Sequence, residues 1–345
     1  MTDFIVGTSA LHNANVDLMR KAGIGWVRTD FPFPFSDRIG GNLTNEYLQA
    51  RETARAWSAK GLKLMGVTPL GGIGTHQRDP QGQMHMVWKD WLPAWMGTPG
   101  SDQYLRQYQE MCAFLAHDLR GVIQMWQIAN ELDIPQFAGP LNLRQASEMV
   151  LLSAQALKSV DNSLLVSTNT AGSQWAYYLY GRLFCDPRCA LDYCGVDQYY
   201  GSWQDGSPDR WAGRIAELYT ITGVKVLVNE WGFSSAGEYM TSEQFRVVQA
   251  GAPSCQFKRW MYTWGAGHTP QSQAEYVRIA LESFLSQREK LLGFFFYRWE
   301  DQATCWQCGA PDCPIETAWG LVDQANHPKP SYVTFIEGVR KLTRE

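Results

Sequence analysis

Short apolar runs alternate along this chain with stretches whose apolar residues recur at helical spacing. FIVGTS (4–9), GWVRTDF (25–31), LKLMGVTPL (62–70), IQMWQIANE (123–131), SLLVSTNTAG (163–172), LDYCGVDQYYG (191–201), VKVLVNEWG (224–232) and LLGFFFYRWED (291–301) have the length and the β-branched or aromatic content of strands. Between them lie helical patterns such as EYLQARETARAWSAKG, with Gly61 as a stop, SDQYLRQYQEMCAFLAHDLRG, with a Ser-Asp cap, and PDRWAGRIAELYTITG, with Pro208 placed to open the helix. Eight strand–helix pairs with no hairpin signal predict a parallel sheet. Eight units without a break in composition predict a (β/α)8 TIM barrel, an α/β fold, as a single domain over residues 1–345. The loops after the third, seventh and eighth strands are extended. An open doubly wound sheet is the alternative. Its dinucleotide-binding version lacks a G-x-G-x-x-G after the first strand, and GTPG at 97–100 has no Lys-Ser/Thr to make a P-loop.

A barrel gathers the C-terminal ends of its strands at one mouth. Here those ends carry Ser9, Arg28 and Asp30, Thr68, Asn130 and Glu131, Asn169, Gln198 and Tyr199, Glu230, and Trp299 and Glu300. Polar residues capping apolar strands leave unpaired groups if buried below the mouth, whereas at the mouth they meet each other and a ligand. The fourth and seventh strands both end in Asn-Glu and lie across the barrel from one another, so Glu131 and Glu230 can face each other over its centre. Two facing carboxyls are what cleavage of a glycosidic bond needs: one, protonated, serves the leaving oxygen, and the other attacks the anomeric carbon or activates water. The plainer reading pairs each Glu with a nearby Arg at a strand end.

Six motifs in barrel order tip the balance. WQIANELD and VLVNEWG resemble the fourth- and seventh-strand signatures of the clan A retaining β-glycoside hydrolases. GWVRTDF is similar to that superfamily's second strand, GVDQYYG to its sixth, FFFYRWED to its eighth, and AWGLVDQANHPKPSYVTF to the usual exit into the last helix. The resemblance implies Glu131 as acid/base, Glu230 as nucleophile, and a covalent glycosyl-enzyme formed from a β-linked oligo- or polysaccharide. It further implies Arg28 and Tyr199 beside the nucleophile, Asn130 on the sugar 2-hydroxyl, and Trp299 as floor of the innermost sugar site. Gln198 stands where many members of the clan carry His, and substrate contact is expected there too. The residues themselves agree with these roles. A cation and a hydrogen-bond donor favour an ionised Glu230, and burial among aromatics favours a protonated Glu131. The alternative function is a non-catalytic carbohydrate-binding barrel, which needs no such pair of acids. A metal-dependent hydrolase would require His or Asp ligands at several strand ends, and none of these ends is a His. The chemistry requires no cofactor.

Composition adds limits. A net charge of −4 with both signs dispersed and no basic block excludes nucleic acid and anionic membrane surfaces as partners. No apolar run approaches the length of a membrane span, and the N-terminal MTDFIVGTSA has no signal-peptide pattern. The insertion at 70–100 holds His76, His85, Trp88, Trp91 and Trp95. Its tryptophans either stack on pyranose rings or glue the loop to the barrel, with at least one expected in the cleft. His76, and His12 after the first strand, are candidate hydroxyl contacts. Asp133, Glu300 and Asp301 either touch sugar or fix loops. Cys305-x2-Cys308-x4-Cys313 lies after the eighth strand and Cys255 after the seventh, next door on the same face. A structural zinc, two disulfides and free thiols are the three readings of these four residues. Cys185 and Cys189, on the opposite face, have a spacing that suits a small disulfide.

Overall fold

A computed structural model describes residues 4–11 and 14–343 of the chain. Its strands are β1 (Ile5–Ser9), β2 (Trp26–Asp30), β3 (Lys63–Val67), β4 (Gly72–Arg78), β5 (Met84–Asp90), β6 (Met125–Gln127), β7 (Leu165–Ser167), β8 (Cys194–Gln198), β9 (Val226–Trp231) and β10 (Leu291–Phe296). Eight of them form one parallel sheet in the order β7-β6-β3-β2-β1-β10-β9-β8. Backbone bonds from Asp192 N to Val166 O and from Asp197 N to Thr170 O, both 2.8 Å, join the two ends of that order. The architecture is therefore the (β/α)8 barrel that the alternation predicts.

Period-two alternation separates two apolar layers. Ile5, Trp26, Met65, Met125, Tyr193, Leu227 and Phe295 fill the barrel interior. Their sequence neighbours Val6, Val27, Leu64, Trp126, Cys194, Val228, Phe294 and Phe296 point outward into the layer shared with the helices. Gly7 clears room for this interior, since a Cβ there would meet the Phe295 ring at 2.3 Å. Several helices begin on side-chain caps. Thr44 and Ser101 accept from the third backbone N–H beyond them, and Asn142 forms a reciprocal capping box with Gln145. Gly61 ends the helix Asn45–Ala59 with φ +78, a conformation that glycine adopts freely.

The insertion after β3 differs from expectation. It contains an antiparallel hairpin, β4 with β5, which the strand–helix alternation does not predict. The turn is Asp79-Pro80-Gln81-Gly82, with Gly82 at φ +85 and Asp79 and Gln83 in backbone contact at 2.9 Å. Proline second and glycine fourth make a type I turn followed by a glycine bulge, a longer hairpin loop than the two-residue Asn-Gly kind. No helix among the described residues is long and apolar enough to cross a membrane.

Candidate active site

The two Asn-Glu strand ends reach the mouth by different backbone devices. In β9 the pairing slips: Val228 sits opposite Val196, but Glu230 sits opposite Asp197; on the other edge Phe294 faces Val228 and Phe296 faces Trp231. The extra residue is a β-bulge, which turns two consecutive side chains to the same face. Asn229 and Glu230 both face inward, while Trp231 returns to the outer layer. After β6 the chain instead takes left-handed turns at Ala129 (φ +55) and Glu131 (φ +44). Such backbone costs a non-glycine residue on the order of 1–3 kcal/mol. Buried polar contacts hold it: Ala129 N–H to Thr68 Oγ1 at 2.9 Å, Gln127 Nε2 to Ala129 O at 2.8 Å, and Glu131 N–H to Asn169 Oδ1 at 3.0 Å.

Both carboxyls open on one cleft of about 1090 Å³ at the barrel mouth, and each residue is only 8% exposed. Arg28 organises its floor. Its Nη1 pairs with Glu230 Oε1 at 2.7 Å, its Nη2 donates to Asn130 Oδ1 at 2.7 Å, and its Nε donates to Gln127 Oε1 at 3.0 Å. The Tyr199 hydroxyl donates to the other oxygen of Glu230. Burial opposes the charge on Arg28, yet Glu230, Asp30 and Asp197 together hold its pKa above the ordinary value. Asn130 Oδ1 also accepts from Asn169 Nδ2 at 2.9 Å and Gln127 Nε2 at 3.1 Å. With its oxygen so engaged, its amide NH2 is the group it offers to the cleft.

Glu131 lies in the opposite electrostatic setting. Burial raises its pKa well above the usual carboxylate range, and the charges of Glu230 and Asp133 add to the rise. Asp197, a fully buried acid on β8, interacts with it electrostatically. Asp197 is raised as well, by burial and then by Glu230 and Glu131. Asn169 Nδ2 donates to Asp197 Oδ2, and no donor reaches Oδ1.

The other expected residues divide. Arg28, Asn130 and Tyr199 line the cleft with the two glutamates. Gln198 does not: inward positions on β8 are 195, 197 and 199, so its side chain points outward, where its Oε1 accepts from the Tyr200 hydroxyl. Asp197 takes the inward place. Trp299 does not form a sugar floor either. The chain bends outward after Tyr297, and Trp299 is buried between β1 and the last helix, donating to Asn326 Oδ1 at 3.0 Å and meeting Tyr332 edge to face. Tyr297 lines the cleft in its stead. His76 is on the hairpin, outside the cleft lining, where its backbone N–H donates to Gln307 O at 2.7 Å. His12 lies outside the described residues.

Of the insertion tryptophans Trp91 lines the cleft, whereas Trp88 packs on Gly139 and Trp95 on Phe35. Asp133 fixes a loop, accepting from the backbone N–H groups of Ala171 and Ser173. Asp301 accepts from Lys329 and Gly320, and Glu300 from the Leu11 N–H. Cys185 and Cys189 are not joined. Cys255, Cys305, Cys308 and Cys313 converge just behind the cleft wall and could hold a metal.

Sequence reasoning passed over Asp197, Gln127, Tyr297, Trp306, Gln307 and Glu316. Strict alternation from Tyr199 points to Asp197, and from Phe295 to Tyr297. Trp306 and Gln307 hide between two cysteines. Glu316, buried and lining the cleft, accepts from Gln307 Nε2 at 2.5 Å and from the Tyr297 hydroxyl at 3.2 Å, and burial pushes its pKa up to about 8.

No family model matches the chain, and no curated protein matches it. Solved structures do. A glucosidase from Croceicoccus marinus superposes with a TM-score of 0.63 at 13% identity, over 99% of this chain and 68% of that one. An exo-β-1,4-mannosidase from Opitutaceae bacterium strain TAV5 gives 0.63 at 15% identity, over 99% and 60%. A hyperthermophilic β-glucosidase from Pyrococcus furiosus gives 0.61 at 14% identity, over 95% and 84%. The likeness is one of fold, and the chain spans between three-fifths and five-sixths of these neighbours' lengths.

Proposed function

We propose that the protein is a retaining β-glycoside hydrolase acting on a β-linked oligo- or polysaccharide. The observation that carries this reading is the pair of acids in one cleft with opposed surroundings. Glu230 is held by a cation and a phenol, and Glu131 has burial and neighbouring acids that keep a proton on it. A carboxyl that burial keeps protonated, facing one paired with a cation, suits the roles of acid and nucleophile. The solved glycosidases that share the fold agree with it.

In the first step Glu230 attacks the anomeric carbon while Glu131 gives its proton to the departing oxygen. In the second, ionised Glu131 takes a proton from water, which attacks the same carbon and frees Glu230. Arg28 and Tyr199 hold both oxygens of Glu230, so its attacking geometry needs no reorganisation. The free amide NH2 of Asn130 suits the sugar 2-hydroxyl, a contact that tightens as the oxocarbenium ion forms. Trp91, Trp203, Trp306 and Phe137 offer apolar faces along the walls for pyranose rings. The decisive experiment uses aryl 2-deoxy-2-fluoro-β-glycosides, which form the glycosyl-enzyme and release it slowly. Mass spectrometry of a peptic digest should place the sugar on Glu230. Product of inverted anomeric configuration by NMR refutes the double displacement, and sugar binding without turnover favours a carbohydrate-binding barrel instead.

A further inference from the structure

The strongest unassigned feature is a convergence of sulfur. Cys255 comes from the turn Ser254–Gln256 in the loop after β9, and Cys305, Cys308 and Cys313 come from the loop after β10. All four Sγ atoms lie within 4.8 Å of one another, with Cys255 at 3.9 Å from both Cys305 and Cys313. A disulfide requires about 2.05 Å, so these sulfurs are not placed as bonded pairs. A tetrahedral zinc with Zn–S bonds of about 2.3 Å sets its sulfurs about 3.8 Å apart. Three of the four cysteines are fully buried. The Cys305-x2-Cys308 segment folds as a tight knuckle: Gly309 N–H donates to Cys305 O at 2.7 Å with φ +75 at Gly309, and Cys305 N–H donates to Ala310 O at 3.0 Å.

We infer that these four thiolates bind one structural zinc ion, which clamps the loops after β9 and β10 together and fixes one wall of the cleft. The two residues inside the knuckle explain the second half of the inference. Trp306 and Gln307 both line the cleft. Gln307 donates to Glu316, its carbonyl accepts from His76 on the hairpin, and Trp306 meets Phe137 across the opening at 6.3 Å between ring centres. On its inner side the sulfur cluster shares an apolar core with Trp260, Trp319 and Tyr199, the residue that touches Glu230. A closed set of four sulfurs leaves the ion no open position for substrate or water, so the site braces and does no chemistry. Zinc fits such a brace better than iron because it is redox-silent.

The test begins with unaltered protein purified under reducing conditions from zinc-containing medium. About one zinc per chain is expected by elemental analysis, with the four thiols shielded from titration until a strong chelator or mercurial releases the ion. Replacement by cobalt(II) should produce the intense visible bands of a tetrahedral site and sulfur-to-metal charge transfer in the near ultraviolet. No zinc and four freely titrating thiols, or missing thiols without metal, overturns the inference, and so does stoichiometric iron. The wall-positioning half rests on the proposed glycosidase function. There, Cys308→Ser, or the zinc-stripped wild type if that variant does not fold, should raise KM for oligosaccharides by about tenfold with little change in kcat. An unchanged KM refutes that half. Zinc present without any glycoside turnover would instead sink the proposed function and leave the metal site standing.

Discussion

Asp197→Asn tests the electrostatics of the site most directly. The side chain is fully buried, accepts from Asn169 through Oδ2 and has no donor on Oδ1, and burial and the like charges of Glu230 and Glu131 raise its pKa. Asparagine has the same shape. Its oxygen can keep the Asn169 bond, and a neutral amide then replaces the second acid. Two unit charges about 4 Å apart at an effective dielectric near 20 repel by about 4 kcal/mol, or roughly 3 pKa units. The open side of the cleft screens part of this, so Glu131 should lose its proton about 1–3 units earlier in the variant. In a pH profile of kcat/KM with a poor leaving group the basic limb should move to lower pH by that amount, and each unit costs about tenfold above the new limb. Substrates with activated leaving groups need no proton and should show little loss in the glycosylation step. Stability follows with a definite sign. Glu131 and Asp197 are both raised above their unfolded values, so their contribution is full at acid pH and is lost as pH rises through their folded values. The variant should therefore lose less stability than wild type between neutral and alkaline pH by urea denaturation. A basic limb that stays in place while activity falls for every substrate would refute the electrostatic coupling and reduce Asp197 to a packing residue.

Glu230→Gln should abolish turnover by at least about 10⁴-fold while the protein still folds, with a melting temperature somewhat below wild type because the buried Arg28 loses the charge it pairs with at 2.7 Å; complete unfolding in its place contradicts the assignment. Glu131→Ala should slow poor leaving groups most, and azide should restore turnover with activated substrates by occupying the vacated space; azide without effect would break the division of roles. Tyr199→Phe removes one of the two partners of Glu230 and should lower kcat by about 10–100-fold with KM little altered, a split that steady-state kinetics reads. Glu316, raised from 4.5 to about 8, contributes stability that is full below about pH 4.5 and is lost between there and about pH 8; the total is at most about 5 kcal/mol, and Glu316→Gln should flatten that decline in pH-dependent denaturation.

The alternation of apolar runs and helical patterns was enough to read the barrel, because strand and helix periods are local properties of the chain. The two Asn-Glu strand ends were legible for the same reason, along with Arg28 and Tyr199 as mouth residues. What sequence reading lost was the facing of side chains where the backbone leaves the ideal strand. A bulge in β9 turns Asn229 and Glu230 inward together, whereas β8 keeps strict alternation, so Asp197 and not Gln198 looks into the barrel. The outward bend after Tyr297 sends Trp299 under the last helix and leaves Tyr297 at the cleft. A one-residue shift of this kind changes the face of a side chain completely and leaves almost no trace in local composition.

The sequence by itself determined the architecture and the two Asn-Glu strand ends at the mouth, since periodicity and polar strand ends are written in neighbouring residues. Tertiary structure alone decided the actual surroundings of the two glutamates, with Arg28 2.7 Å from Glu230 and with burial, Glu230 and Asp133 raising the pKa of Glu131. It also decided that four cysteines on two loops meet within 4.8 Å, far inside what their spacing along the chain implies. Charge and metal coordination act through space, over a few ångströms, between residues whose separation in sequence is set by nothing but the closure of the barrel.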